Sequence, residues 1–203
     1  MTQTGTPAER RELERINAFS DGVFAIAITL LVLNVDVPNV PSGELGEALS
    51  DLGDDFTAYC IGFAVMGLFW YGHHRLFARL VRSNGRLVLV NMFLLGLVGL
   101  MPFTTGTLGN YDEPEVVALF AANVGVATVF DGLLHVVAIR DRLEEEPDDL
   151  PARRAERREA LVWTPIRAAI FLLSIPVAYL ATPGIAQWLW LGLIGAAFVR
   201  RWV

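Results

Sequence analysis

Four ionisable side chains lie inside apolar stretches of this 203-residue chain: Asp21, His73, Asp131 and His135, with His74 at the edge of one. A titratable group in such surroundings is costly to bury and is a functional candidate for that reason. Asp21 and His73 are an acid and a base that could relay a proton. Asp131 and His135 are four residues apart, hence on one face of a helix, and a structural inter-helix pair accounts for them. No His/Glu set has the spacing of a metalloprotease, and neither a Gly-x-Ser-x-Gly elbow nor a phosphate-binding loop occurs. Serine is scarce in the apolar stretches, so a membrane-embedded hydrolase lacks a nucleophile. The chemistry expected here is that of a non-enzyme without a resident metal or cofactor.

The elements that must position these residues are membrane helices. Hydrophobic residues make up 54% of the chain and charged residues 19%, and the charges are segregated into short polar segments between long apolar ones. That pattern predicts an all-α, polytopic membrane protein and excludes a disordered chain, a coiled coil and a disulfide-built domain. A net charge of −6 gives no attraction for a nucleic-acid backbone. The one cysteine, Cys60, cannot form an internal disulfide and is expected to be a small buried apolar residue. Six stretches approach the roughly 20 apolar residues a span requires: 16–37, 56–77, 87–108, 116–139, 161–181 and 185–199. They form one domain over 1–203, with 140–159 as a solvated cytosolic loop running into a charged helix start. The first stretch has no small-x-small cleavage site after it and is expected to be a permanent helix. Glycine pairs at Gly62/Gly67, Gly96/Gly99 and Gly192/Gly195 are expected to allow close helix packing.

Arginine placement sets the topology. All sixteen basic residues are arginine, and all lie in the N-terminal segment, the second-to-third connection, the fourth-to-fifth region or the C-terminus. With six spans and both termini cytosolic, every one falls on the inner side. The first and second outer connections carry nine acids and no base, a field that concentrates cations.

The first apolar stretch begins Arg15-Ile-Asn-Ala-Phe19-Ser20-Asp21. Arg-x-x-x-Phe-Ser-Asp at the start of a first transmembrane helix resembles the signature of the transmembrane protein 175 family, the endolysosomal potassium channels and their prokaryotic relatives. Trp70 and His73, in Trp70-Tyr-Gly-His73-His74-Arg75, resemble a second family feature, and the six-span layout covers the whole chain. The resemblance implies a homotetramer in a prokaryotic plasma (inner) membrane, with self, the lipid bilayer and K+ as partners. Four first helices would line a pore that has no filter loop. No Thr-Val-Gly-Tyr-Gly-type sequence is present. It further implies pore constrictions at Ile26, Leu30 and Leu33, and selectivity from Thr29 together with Ile26. Arg15, Phe19, Ser20, Asp21, Trp70 and His73 would form a network holding the pore helices.

Helix geometry tests that carry-over. At 100° per residue, Ile26, Leu30 and Leu33 lie within about 60° of one another, and Asp21 lies about 140° from Ile26. If Ile26 faces a pore, Asp21 faces the surrounding bundle. A carboxylate there needs partners, and Arg15, His73 and the Trp70 indole are within reach in sequence terms. The leading expectation is a passive, leak-type potassium channel. The alternative is a proton-coupled secondary transporter with Asp21 and His73 as its relay.

Overall fold

A computed structural model describes residues 6–111, 113–144, 150–182 and 184–192. The chain is helical: α1 (Pro7–Leu30) runs into a 3-10 turn (Leu31–Asn34), followed by α2 (Leu45–Asp51), α3 (Gly53–Phe77), α4 (Gly85–Asn110), α5 (Pro114–Arg140), α6 (Leu150–Leu180) and α7 (184–192). There is no strand among the described residues. Backbone Val81 donates to Leu143 O at 2.9 Å beside an isolated antiparallel bridge between Leu80 and Glu144, which ties the α3–α4 and α5–α6 connections together.

The helices start and stop for local reasons. Thr6 caps α1 through a reciprocal capping box with Glu9, and Pro7 follows where a missing N–H costs nothing. The first helix therefore begins well before the apolar stretch at 16. Asn84 caps α4 by accepting from Leu87 N at 2.8 Å. α6 is helical from Leu150, so the second half of the expected 140–159 loop is helix.

α1 with its 3-10 turn, α4 and α5 are each long and apolar enough to cross a membrane. α2 and α3 qualify as a pair meeting at a 46° bend, and the apolar part of α6, Thr164–Leu180, is shorter. The expected last span, 185–199, extends outside the described residues, as do Arg200 and Arg201.

α4 touches α1, α3 and α5, and α6 lies along α5. Between them is a core that includes Met66, Leu87, Leu94, Met101, Phe120 and Leu134, and at its α6–α7 end Trp190 donates to Ser174 at 3.0 Å. Glycines set the tightest contacts, and of the described glycines that the sequence suggested, Gly62 alone is among them. A Cβ on Gly62 would stand 2.7 Å from Thr105 Oγ1, on Gly109 2.7 Å from Asp55 Oδ1, and on Gly132 2.6 Å from Thr164 Cγ2. Gly67, Gly96, Gly99 and Gly192 meet nothing within 4 Å, and Gly195 lies outside the described residues. Cys60 is exposed on α3 rather than buried, because the helix turns its Ile61, Gly62 and Val65 side inward.

At the acidic end, Pro102 interrupts the hydrogen-bond ladder of α4. Asn34 donates to Pro102 O at 2.8 Å, and Gly106 leaves room for the amide: a Cβ there would lie 2.7 Å from Asn34 Oδ1. The 3-10 turn is thus pinned to α4 where α1 ends.

Candidate functional site: the outward stripe of α1 and the polar cluster behind it

α1 is the least covered of the three clear spans: 22% of its most apolar stretch is buried, against 44% for α4 and 50% for α5. Its inward side is Leu13, Ser20, Phe24 and Ala27, continued by Leu31 in the 3-10 turn. Its outward side, also continued into that turn, is an apolar stripe in which Ile26 is 63% exposed, Leu30 42% and Leu33 72%. Phe19 lies on this outward side as well. Ile28, on the other side of the helix, packs against the core. No described residue of the chain covers the stripe, and leaving such a surface in water would cost about 25 cal/mol per Å². Its neighbour is therefore lipid, another copy of the chain, or a narrow passage between copies.

Thr29 is exposed beside the stripe. Its hydroxyl donates to Ala25 O (3.1 Å) and Ile26 O (2.8 Å). The proton is thereby directed to the backbone, and the exposed side of the oxygen presents acceptor lone pairs, the polarity a cation requires.

Behind the stripe, at the arginine-rich end, two polar branches leave adjacent residues of α1. Asp21 accepts from the Trp70 indole N–H at 3.0 Å on one oxygen and from Asn17 Nδ2 at 3.1 Å on the other. Ser20 donates to Ile16 O at 2.9 Å and accepts from Asn91 Nδ2 at 3.0 Å, and Asn91 Oδ1 lies 2.9 Å from His73 Nε2. Ser20, Asn91 and His73 are all essentially inaccessible. The chain has one consistent direction. Since Asn91 presents its carbonyl oxygen to the ring, Nε2 carries a proton, and Nδ1 is left without a partner. The His73 ring stacks on Phe77 at 4.1 Å and tilts against Phe24.

Asp21, Trp70, Ser20 and His73 are thus brought to one end of the α1–α3–α4 contact, but His73 does not bond Asp21 as expected. One helical turn separates Trp70 from His73, and only Trp70 reaches across to the carboxylate. His73 points into the bundle and meets α4. Arg15 is exposed with no ion pair among the described residues, so it is not the partner of Asp21 within one chain. Asn17 and Asn91 were missed by sequence reasoning. Asn91 was findable as a lone amide in the middle of an apolar helix, and Asn17 as the residue four before Asp21. The Asp131/His135 pair is also rearranged: His135 Nδ1 lies 3.0 Å from the backbone oxygen of Asp131, while the buried carboxylate turns elsewhere. No group of His, Cys, Asp or Glu suited to a metal occurs among the described residues.

The sequence profile of the family described as "Endosomal/lysosomal potassium channel TMEM175" matches residues 15–102, which hold both polar branches and the stripe. A potassium channel of Streptomyces collinus is 34% identical over 180 residues, covering 84% of this chain and 87% of that one. A potassium channel of Chamaesiphon minutus is 38% identical over 159 residues, covering 74% of this chain and 75% of that one. The bovine endosomal/lysosomal proton channel TMEM175 is 34% identical over 160 residues, and this chain spans only 33% of its length. Among solved structures, the crystal structure of a lysosomal potassium-selective channel TMEM175 homolog from Chamaesiphon minutus superposes with a TM-score of 0.81 at 27% identity, covering 94% of this chain and 98% of that one. This chain belongs to the TMEM175 channel family.

Proposed function

We infer that this chain is one subunit of a passive potassium channel of the prokaryotic plasma membrane. The observation that carries the reading is the outward stripe of α1. An apolar stripe is left uncovered on the one helix that also holds the family signature, directly above a fixed polar cluster. One such helix cannot enclose a pathway, so several copies must contribute around an axis, and a homotetramer is the assembly we propose. In it, Ile26, Leu30 and Leu33 form stacked apolar collars that limit conductance by excluding water. Thr29 and Ile26 set the ion preference, the threonine through its outward lone pairs. The branches through Asp21 and Ser20 hold α1 at a fixed rotation against α3 and α4. Six spans with both termini cytosolic put all sixteen arginines on the inner side and the acidic segments around the outer mouth. The bilayer, K+ and further copies of the chain are its partners.

The relay reading of Asp21 and His73 loses its support, because the two do not meet. The test is potassium flux into liposomes containing the purified protein. Flux should follow the potassium gradient and persist when the proton gradient is collapsed. Flux that stops without a proton gradient would replace the channel with a coupled transporter.

A further inference from the structure

The outermost collar residue, Leu33, stands not on α1 itself but in the 3-10 turn that ends it, Leu31–Asn34. A 3-10 helix completes a turn in three residues, so side chains three apart eclipse. Two such pairs occur here. Leu30 and Leu33 fall on the outward side, and Leu31 and Asn34 fall on the side of the bundle. Wound as an α-helix, the members of each pair would be offset by about 60°. Leu31 and Asn34 would then not face the bundle together.

The 3-10 form has the poorer hydrogen-bond geometry and is held here by what it touches. Leu31 is fully buried, and its Cδ2 would be 3.2 Å from a Cβ on Gly62, so it is seated on α3 where there is no side chain. Asn34 donates from Nδ2 to Pro102 O on α4 at 2.8 Å. Its amide lies against Gly106, where a Cβ would be 2.7 Å from Oδ1 and 2.8 Å from Cγ. These contacts work against a definite force. With copies of α1 around one axis, the exposed Leu33 side chains can leave water by meeting one another, and the hydrophobic effect favours that closure.

We propose that Asn34 is a positioning residue for conduction: it ties the outer end of α1 to α4 and so holds the Leu33 collar apart against hydrophobic closure. This rests on the channel reading above. Asn34 faces its own bundle rather than the stripe, so it acts through Leu33 and touches no ion. The tie is one side-chain hydrogen bond seated in a glycine gap. A bond of this kind weights the tied form over the released one by about two- to tenfold.

The test is potassium flux in liposomes. Asn34→Leu keeps the branch at Cγ, removes the donor and adds no charge at the outer mouth. Flux should fall about two- to tenfold, the weight of the lost bond. Gly106→Ala reaches the same tie from α4, because its methyl displaces the Asn34 amide, and should lower flux in the same way. Leu33→Ala removes the collar and should itself raise flux. On that background neither Asn34→Leu nor Gly106→Ala should have a further effect. This separates positioning from a general loosening of the bundle, whose cost would persist without the collar. Unchanged flux in either single variant overturns the proposal, and so does a loss that persists on the Leu33→Ala background. If the wild-type protein passes no potassium, the channel reading fails on its own. A spin label attached through Val32→Cys on a Cys60→Ala background then decides the tie separately: a spectrum altered by Asn34→Leu supports it, and an unaltered one refutes it.

Discussion

Replacing Asn91 by leucine tests whether the Ser20–Asn91–His73 chain holds the bundle together. Leucine keeps the branch at Cγ but offers His73 no acceptor. His73 then has nowhere to place its N–H. Moving the proton to Nδ1 gives no relief, because Nδ1 is buried and has no partner. Ser20 suffers little, since its own proton stays on Ile16 O at 2.9 Å. The loss is that of one buried, unsatisfied donor, about 2 kcal/mol, or roughly 30-fold in the folding equilibrium. His73→Phe should cost less, because the ring already stacks on Phe77 and Phe24. It does leave the Asn91 carbonyl unpaired. Joining the two changes removes both polar partners, so the double variant should be more stable than the sum of the singles predicts. The expected coupling is about 0.6–1.7 kcal/mol, the range found for hydrogen bonds between membrane helices. Reversible unfolding of all four proteins in mixed micelles gives the cycle. Strict additivity, or an Asn91→Leu cost under about 0.5 kcal/mol, would refute the buried chain as a structural tie.

Other expectations follow from the same contacts. Ile26→Asn places an amide on the outward stripe and should raise single-channel conductance while lowering ion discrimination; Ile28→Asn, against the core, should instead lower stability by about 1–3 kcal/mol without a leak. Equal currents from the two would mean that α1 does not line the pore in this rotation. Thr29→Val keeps size and removes the outward lone pairs, so bi-ionic reversal potentials should show a weaker potassium preference with little gain in conductance. Gly109→Ala would bring a methyl to 3.1 Å from the Asp55 backbone and should cost about 1–3 kcal/mol in thermal stability in detergent, whereas Gly96→Ala, with open space, should be neutral or slightly stabilising.

Much of this protein is legible without coordinates. Segregated charge and apolar length dictate helices in a membrane, because a backbone in lipid must satisfy its own hydrogen bonds. That Ile26 and Leu30 share a face follows from α-helical periodicity, and Leu33, three residues on in the 3-10 turn, keeps that side because a 3-10 helix completes a turn in three residues. The separation of Asp21 from that stripe follows in the same way. Periodicity does not say which helix faces which. Trp70 and His73 share a face of α3 by spacing, yet only the packing of α4 between α1 and α3 decides that Trp70 takes Asp21 and His73 takes Asn91. Close-packing glycines were equally hidden. Gly62 and Gly96 look alike in sequence, but one meets Thr105 and the other open space. The start of α1 nine residues before its apolar stretch escaped a reading based on apolar length, because a helix held by a capping box continues past the membrane, and so did the helix from Leu150 ahead of the apolar part of α6. The setting of Asp131 depends wholly on tertiary structure, because only the packing of α5 against α3 brings its buried carboxylate opposite Gly72, where a Cβ would lie 4.0 Å from Oδ1.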